Sequence, residues 1–262
     1  MDAIFLWDIC DKIIQHIFPF VRILAFFSSA PVFYEKGVNK KIKIALAFII
    51  TFLISPTLVE TSIDVFSCMG VLIIGSQFLI GISMGLTAQF IFVTIKHAGE
   101  VIGLQMGLSF ATFYDPVGGQ NLSVISRILN LLVTMLFLTY NGHLFMIGII
   151  ANSFQMLPIM ERLPDISGYI AIIRLAGNVF KCGLMVGMPV IAVLLCLNIS
   201  LGFLNRLIPQ LSVFVIGFPV SLTTGIISLS LVMLSLPLFF EKLMSSIFDD
   251  MVNILTFFSS KN

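Results

Sequence analysis

The chain has 262 residues, of which 58% are hydrophobic and 10% charged, and its formal net charge is +1. Soluble globular domains carry about a quarter charged residues, so this composition, with a mean hydropathy of +1.10, excludes that class and points to an integral membrane protein in contact with lipid. So balanced a charge sets up no global field for nucleic acid, and no nucleic-acid partner is expected.

At the amino terminus, MDAIFLWDICDKII carries Asp2, Asp8 and Asp11 ahead of its apolar run. It lacks a basic leading region and a small-residue cleavage site, so no removable signal peptide is expected. Crossing a bilayer takes about 20 apolar residues, a length reached by Ile13 to Tyr34, Ile42 to Val59, Cys68 to Ile95, Leu122 to Ile150, Ile166 to Ile199 and Leu211 to Phe240. Hydropathy thus predicts six spans. Lys36, Lys40, Lys41 and Lys43 lie between the first two runs, whereas Glu60 and Asp64 lie in the next connection. The positive-inside rule then puts the first loop in the cytoplasm and the amino terminus outside.

Prolines at positions 19, 31, 56, 116, 158, 189, 209, 219 and 237 interrupt these runs, and each is expected to kink or end a helix nearby. The expected fold is all-α: a polytopic membrane-class protein of broken, kinked helices. Two nominal spans carry polar stripes, Arg127, Asn130 and Thr134 on one and Arg174, Asn178 and Lys181 on the other, at helical spacing. Arg206, beyond the second span, is grouped with them as a further basic group. Such faces are expected to meet a partner, a bundle interior or an aqueous path rather than lipid, with snorkelling near a helix end as the alternative. From Glu241 onward, Leu243, Ile247, Met251, Ile254, Leu255 and Phe258 gather on one side of a helical wheel, with Asp249, Asp250 and Asn253 near the other, which reads as an amphipathic helix.

Between the long apolar runs lies GEVIGLQMGLSFATFYDPVGGQ, from Gly99 to Gln120, too polar for lipid and too apolar for an ordinary surface loop. Irregular backbone at membrane depth survives only where protein buries it or where it lines a water-filled path. The stretch is therefore a candidate gate or plug, against the alternative of an internal loop packed for stability. Met106, Phe110, Phe113 and Tyr114 supply a conformable seal, while Gly107, Gly118 and Gly119 give the backbone latitude to fold back.

Other motifs are weaker. Gly81-Ile82-Ser83-Met84-Gly85 matches a nucleophile elbow, but lies inside one continuous apolar run where no strand is expected. Its glycines, like Gly99, Gly103 and Gly107 and like Gly183 and Gly187, recur every four residues, a pattern that lets helix backbones approach closely. Cys10, Cys68, Cys182 and Cys196 sit singly, and His16, His97 and His143 show no metal-ligand spacing. No catalytic residue, metal or cofactor is expected. Lacking a phosphate-binding loop, the chain would draw energy for transport from another protein or a gradient.

Three stretches carry a resemblance: AGEVIGLQMGLSFATFYDP from Ala98, LTYNGHLFMIGIIANSFQMLP from Leu138, and LNISLGFLNRLIPQLSVFVIGFPV from Leu197, together with the pattern from Arg22 to Pro31. In these the chain resembles the flagellar biosynthetic FliR family, whose injectisome relatives serve virulence-type secretion. The resemblance implies a non-enzymatic subunit of the type III export gate of the bacterial inner membrane and flagellar basal body. Such a subunit joins FliP and FliQ in a helical, pseudo-symmetric channel, while FlhA, FlhB and the ATPase supply substrate recognition and energy. It further implies a FliP-like portion over 1–165 and a FliQ-like hairpin over 166–262, with a boundary near Asp165. The family's plug falls on 106–121, with Met106, Gly107, Leu108, Ser109, Phe110, Ala111, Thr112, Phe113, Tyr114, Asp115 and Pro116 as its residues. Unfolded rod, hook and filament proteins would be the cargo. An injectisome homologue, a small-solute secondary transporter and a membrane hydrolase built on Ser83 remain as alternatives.

Overall fold

The computed structural model describes residues 16–33, 39–58, 65, 67–108, 123–159, 164–207 and 213–259, which are helical with no strand among them. In chain order the helices are α1 (Ile17–Ser29), α2 (Lys40–Ile54), α3 (Cys68–Gln105), α4 (Val124–Thr139), α5 (Gly142–Met156), α6 (Ile166–Leu207) and α7 (Val213–Ser259). Three segments, Cys68–Gln105, Ile166–Leu207 and Ile216–Ser259, are long and apolar enough to cross a membrane. Helices α4 and α5, bent by 65°, pass the same test only as a pair. The all-α, polytopic character expected from the composition is what the chain shows.

The six predicted spans are thus redistributed, for identifiable local reasons. Helix α1 stops where Ala30 turns extended ahead of Pro31, as the residue before a proline tends to do. Helix α2 runs for 15 residues, about 22 Å at the standard rise, before a 3₁₀ turn over Ser55–Thr57 that contains Pro56. That is short of the ~30 Å hydrocarbon core. The predicted span from Leu122 to Ile150 is two helices, because Asn141 adopts a left-handed conformation with φ 55° and turns the chain between them. Asparagine tolerates that region better than other non-glycine residues, and the Asn141-Gly142 dipeptide is its signal in the sequence. Three prolines do not end helices: Pro189 lies within α6, and Pro219 and Pro237 lie within α7. In an apolar setting a long helix has no better partner for its backbone groups than itself.

The chain divides into two compact units, one comprising 1–90, 141–175 and 246–262 and the other 91–140 and 176–245. In the first, α1 packs against α3 through glycines. A Cβ at Gly81 would meet the Arg22 carbonyl and Ala25, and one at Gly85 would meet Ser29 and the Phe26 carbonyl. The close-packing reading of GISMG holds, and Ser83 sits in mid-helix without the strand and strained turn an elbow needs.

Arg22 is fully buried in this unit. Its Nε donates to Gln77 Oε1 at 2.7 Å, Nη1 to Ser153 O at 3.1 Å and Oγ at 3.2 Å, and Nη2 to Leu157 O at 2.9 Å. The guanidinium also lies 4.3 Å from the centre of the Phe154 ring. One side chain therefore ties α1 to α3 and donates to two carbonyls at the end of α5, Ser153 O, which also accepts from Leu157 N–H, and Leu157 O just past the last turn. The amphipathic carboxyl-terminal stretch continues α7, with Met251, Ile254, Leu255 and Phe258 buried and Asp249 and Asn253 exposed. Asp165 marks the start of α6: its carboxylate accepts from Ile166 N–H and from the Ser167 hydroxyl, which sits at hydrogen-bonding distance from Phe257 O.

The core of the second unit is built on the carboxyl-terminal part of α3, with Ile95, Ile102 and Met106 buried alongside Val133 and Phe137 of α4. Gly183 of α6 lies where a Cβ would come 2.8 Å from Thr94 O and 3.1 Å from the His97 ring. Here too the glycine spacing places helix backbones in close approach.

Candidate functional site

The predicted plug departs from the end of α3, and the geometry of that departure is sharply defined. Gly107 has φ +80°, Leu108 N–H bonds Gly103 O at 3.0 Å, and Gly107 N–H bonds Leu104 O at 3.0 Å. This is a Schellman ending, in which a left-handed residue lets two orphan carbonyls of the last turn find donors. Glycine is required there because other L-residues pay a steric penalty. Substituting Gly107 by alanine is expected to destabilise the chain by about 1–2 kcal/mol, read as a lowered midpoint of unfolding in detergent.

Met106, immediately before, is fully buried, and a Cβ at Gly225 of α7 would come 2.7 Å from its Cγ and Cε. A Cβ on Gly107 would lie 3.3 Å from the ring of Phe218. The root of the stretch is therefore seated against α7, with Met106 filling the notch that Gly225 leaves. Leu108 is half-buried. Ser109, Phe110, Ala111, Thr112, Phe113, Tyr114, Asp115 and Pro116 lie outside the described residues, as do Gly118 and Gly119.

The chain returns at Ser123, beside the same turn of α3. Ser123 N–H donates to Glu100 Oε1 at 2.8 Å, its hydroxyl donates to Gly99 O at 3.2 Å and accepts from Ser126 N–H at 3.2 Å. Ser126 Oγ donates to Lys96 O at 3.0 Å. A Cβ on Gly103 would come 2.6 Å from the Ser123 side chain, and one on Gly99 would strike the Ser126 backbone. Glu100 thus caps the start of α4, where the helix dipole favours a carboxylate. Gly103 touches both sides of the stretch, through its carbonyl to Leu108 and through its missing side chain to Ser123. Leu108 and Ser123, the described residues on either side of 109–122, are thus both fixed on the last turns of α3.

Sequence reasoning located the stretch but not what holds it. Glu100 carried no signal beyond its position, and Phe218 and Gly225 are more than a hundred residues away in sequence. Ser123 was findable as a serine directly before an apolar run, the usual helix start. Of the predicted polar faces, Arg127, Arg174, Asn178, Lys181 and Arg206 are exposed, while Asn130 and Thr134 are half-buried. Thr134 Oγ1 donates to Asn130 O at 2.8 Å, a bond within α4.

Comparison with known proteins is consistent along the whole chain. Residues 13–247 match the family described as bacterial export proteins, family 1. The chain is similar to the flagellar biosynthetic protein FliR of Pectobacterium carotovorum subsp. carotovorum, 49% identical over 255 residues that cover 97% of each chain. The corresponding protein of Escherichia coli (strain K12) is 44% identical over 241 residues, 92% of each chain. That of Bacillus subtilis (strain 168) is 26% identical over 251 residues, 95% of this chain and 97% of the other. On these matches the chain belongs to the FliR family of bacterial export proteins, a family of flagellar biosynthesis.

Proposed function

We propose that this chain is a structural and gating subunit of the flagellar type III export channel, and that 106–121 is the plug that closes it. The observation carrying this reading is the double anchorage just described. With Met106 and Gly107 seated on α7 and Ser123 bonded to Glu100 and Gly99, both described ends of the stretch rest on a fixed base, as a gating element requires. A constriction of methionine and aromatic residues on such a base blocks ions when idle and yields to an unfolded polypeptide. Its partners in this reading are FliP and FliQ in the channel wall, with FlhA and FlhB presenting cargo, at the basal body in the inner membrane. The FliP-like portion runs over 1–165 and the FliQ-like portion over 166–262. The exposed basic groups Arg127, Arg174, Lys181 and Arg206 face partner subunits or the pore.

The test uses a strain with an in-frame deletion of the gene, complemented by the wild-type chain or by one lacking Phe110 to Phe113. Without a plasmid, hook and filament proteins are expected to vanish from the medium, and the wild-type chain should restore them. The loop variant is expected to co-purify with its channel partners yet to raise inner-membrane ion conductance well above wild type. A properly assembled loop variant that leaks no more than wild type would remove the plug assignment, and normal export in the deletion strain would remove the channel reading altogether.

A further inference from the structure

Helix α2 presents a surface that neither the plug nor the packing of its own unit uses. It turns only Ala47, Ile50, Thr51 and Ile54 inward. Its outer side exposes Ile42, Ile44, Phe48, Ile49, Phe52 and Leu53, with Phe52 71% and Leu53 75% accessible. At its amino end stand Lys40 and Lys41, exposed, and Lys43, half-buried. No aspartate or glutamate occurs between Lys36 and Val59.

We infer that α2 is a half-depth membrane wedge, inserted from one leaflet with its lysines among anionic phospholipid headgroups and its Phe52–Leu53 end among acyl chains. Three observations favour lipid over a protein partner. First, the outer face offers carbon only: Thr51 Oγ1 is bonded to Ala47 O at 2.7 Å and Ser55 Oγ to His16 Nε2 at 2.6 Å, so the hydroxyls towards the deep end are satisfied inside the chain. That is what hydrocarbon demands. Second, the helix is about 22 Å long, too short to cross the hydrocarbon core but long enough to reach past its middle from one side. Third, the basic groups gather at one end only, the arrangement that a leaflet of anionic headgroups over an apolar interior complements.

The chain contains a single tryptophan, Trp7, which permits a direct reading of depth and lipid identity. Full-length protein carrying Trp7→Phe and Phe52→Trp is reconstituted in nanodiscs containing phosphatidylcholine with acyl chains brominated on either phosphatidylcholine or phosphatidylglycerol. Phe48→Trp serves as a second reporter should the first variant elute as aggregate. Quenching is expected with both brominated lipids, reaching half its maximum at roughly fivefold lower mole fraction of phosphatidylglycerol. That preference is expected to disappear in the chain that also carries Lys40→Gln, Lys41→Gln and Lys43→Gln. Absence of quenching by either lipid in monodisperse protein would mean that protein, a second copy included, covers the face, and would overturn the proposal. Equal quenching by the two lipids with the lysines intact would overturn its anionic part.

Discussion

Replacing Arg22 by alanine is expected to destabilise the chain by about 3–5 kcal/mol. The guanidinium makes four hydrogen bonds, to Gln77, to both oxygens of Ser153 and to Leu157 O, and packs on the Phe154 ring. Its loss leaves Gln77 Oε1 and two carbonyls at the end of α5 without these donors in a buried place, and leaves a cavity among α1, α3 and α5 besides. Lysine is not an adequate substitute. A single ammonium cannot reproduce a planar fork that serves acceptors on two different helices, so Arg22→Lys should recover about half the loss at most. The measurement is the fraction of purified full-length protein that stays monodisperse after heating in mild detergent. An alanine variant that survives heating as well as wild type would show that water or neighbouring side chains take over these bonds, and the network would then count for nothing.

Gly81→Val should come close to the same loss, about 3 kcal/mol, at the upper end of what overpacking costs. A Cβ at this position would press on the Arg22 carbonyl and stand 2.8 Å from Ala25 Cβ. Backbone cannot swing aside as a side chain can, so α1 would have to lift off α3 and take the Arg22 bonds with it. The two predictions are coupled for that reason: combining Gly81→Val with Arg22→Ala should cost less than the sum of the single losses. Gly75, on the same helix, supplies the control. A Cβ there would meet nothing within 4 Å, so Gly75→Ala should leave stability unchanged or raise it by about 0.5–1 kcal/mol through helix propensity. A loss at Gly75 as large as that at Gly81 would show that close approach of α1 is not what sets the requirement for glycine at position 81.

The two helices that α1 and α2 became show how much a linear reading misjudges. Hydropathy over Ile13 to Tyr34 and Ile42 to Val59 is that of a span, but Pro31 and Pro56 stop each helix early. Pro189, Pro219 and Pro237 are the same residue in equally apolar surroundings, yet α6 and α7 continue through them. Local chemistry is alike in the two cases, so the proline by itself does not decide where a helix ends. Likewise the glycines every four residues announced close packing without naming a partner. Gly81 and Gly85 meet α1, Gly99 and Gly103 meet the start of α4, and Gly183 meets α3.

By itself the amino-acid sequence determined the class of solvent, the all-helical fold, the family, and the existence of an apolar, glycine-rich stretch where lipid and water are both poor hosts. These follow from composition, from periodicity and from long ordered matches, all of which are local or additive along the chain. Only the tertiary structure decided that Arg22 is an internal clamp, that Glu100 and Gly99 hold Ser123 beside the end of α3, that Met106 is seated at Gly225, and that α2 keeps an apolar face with a basic end. Each of those depends on which side chain arrives opposite which backbone atom across tens of residues. Helix spacing restricts that pairing, but only the packing of one helix on another selects it.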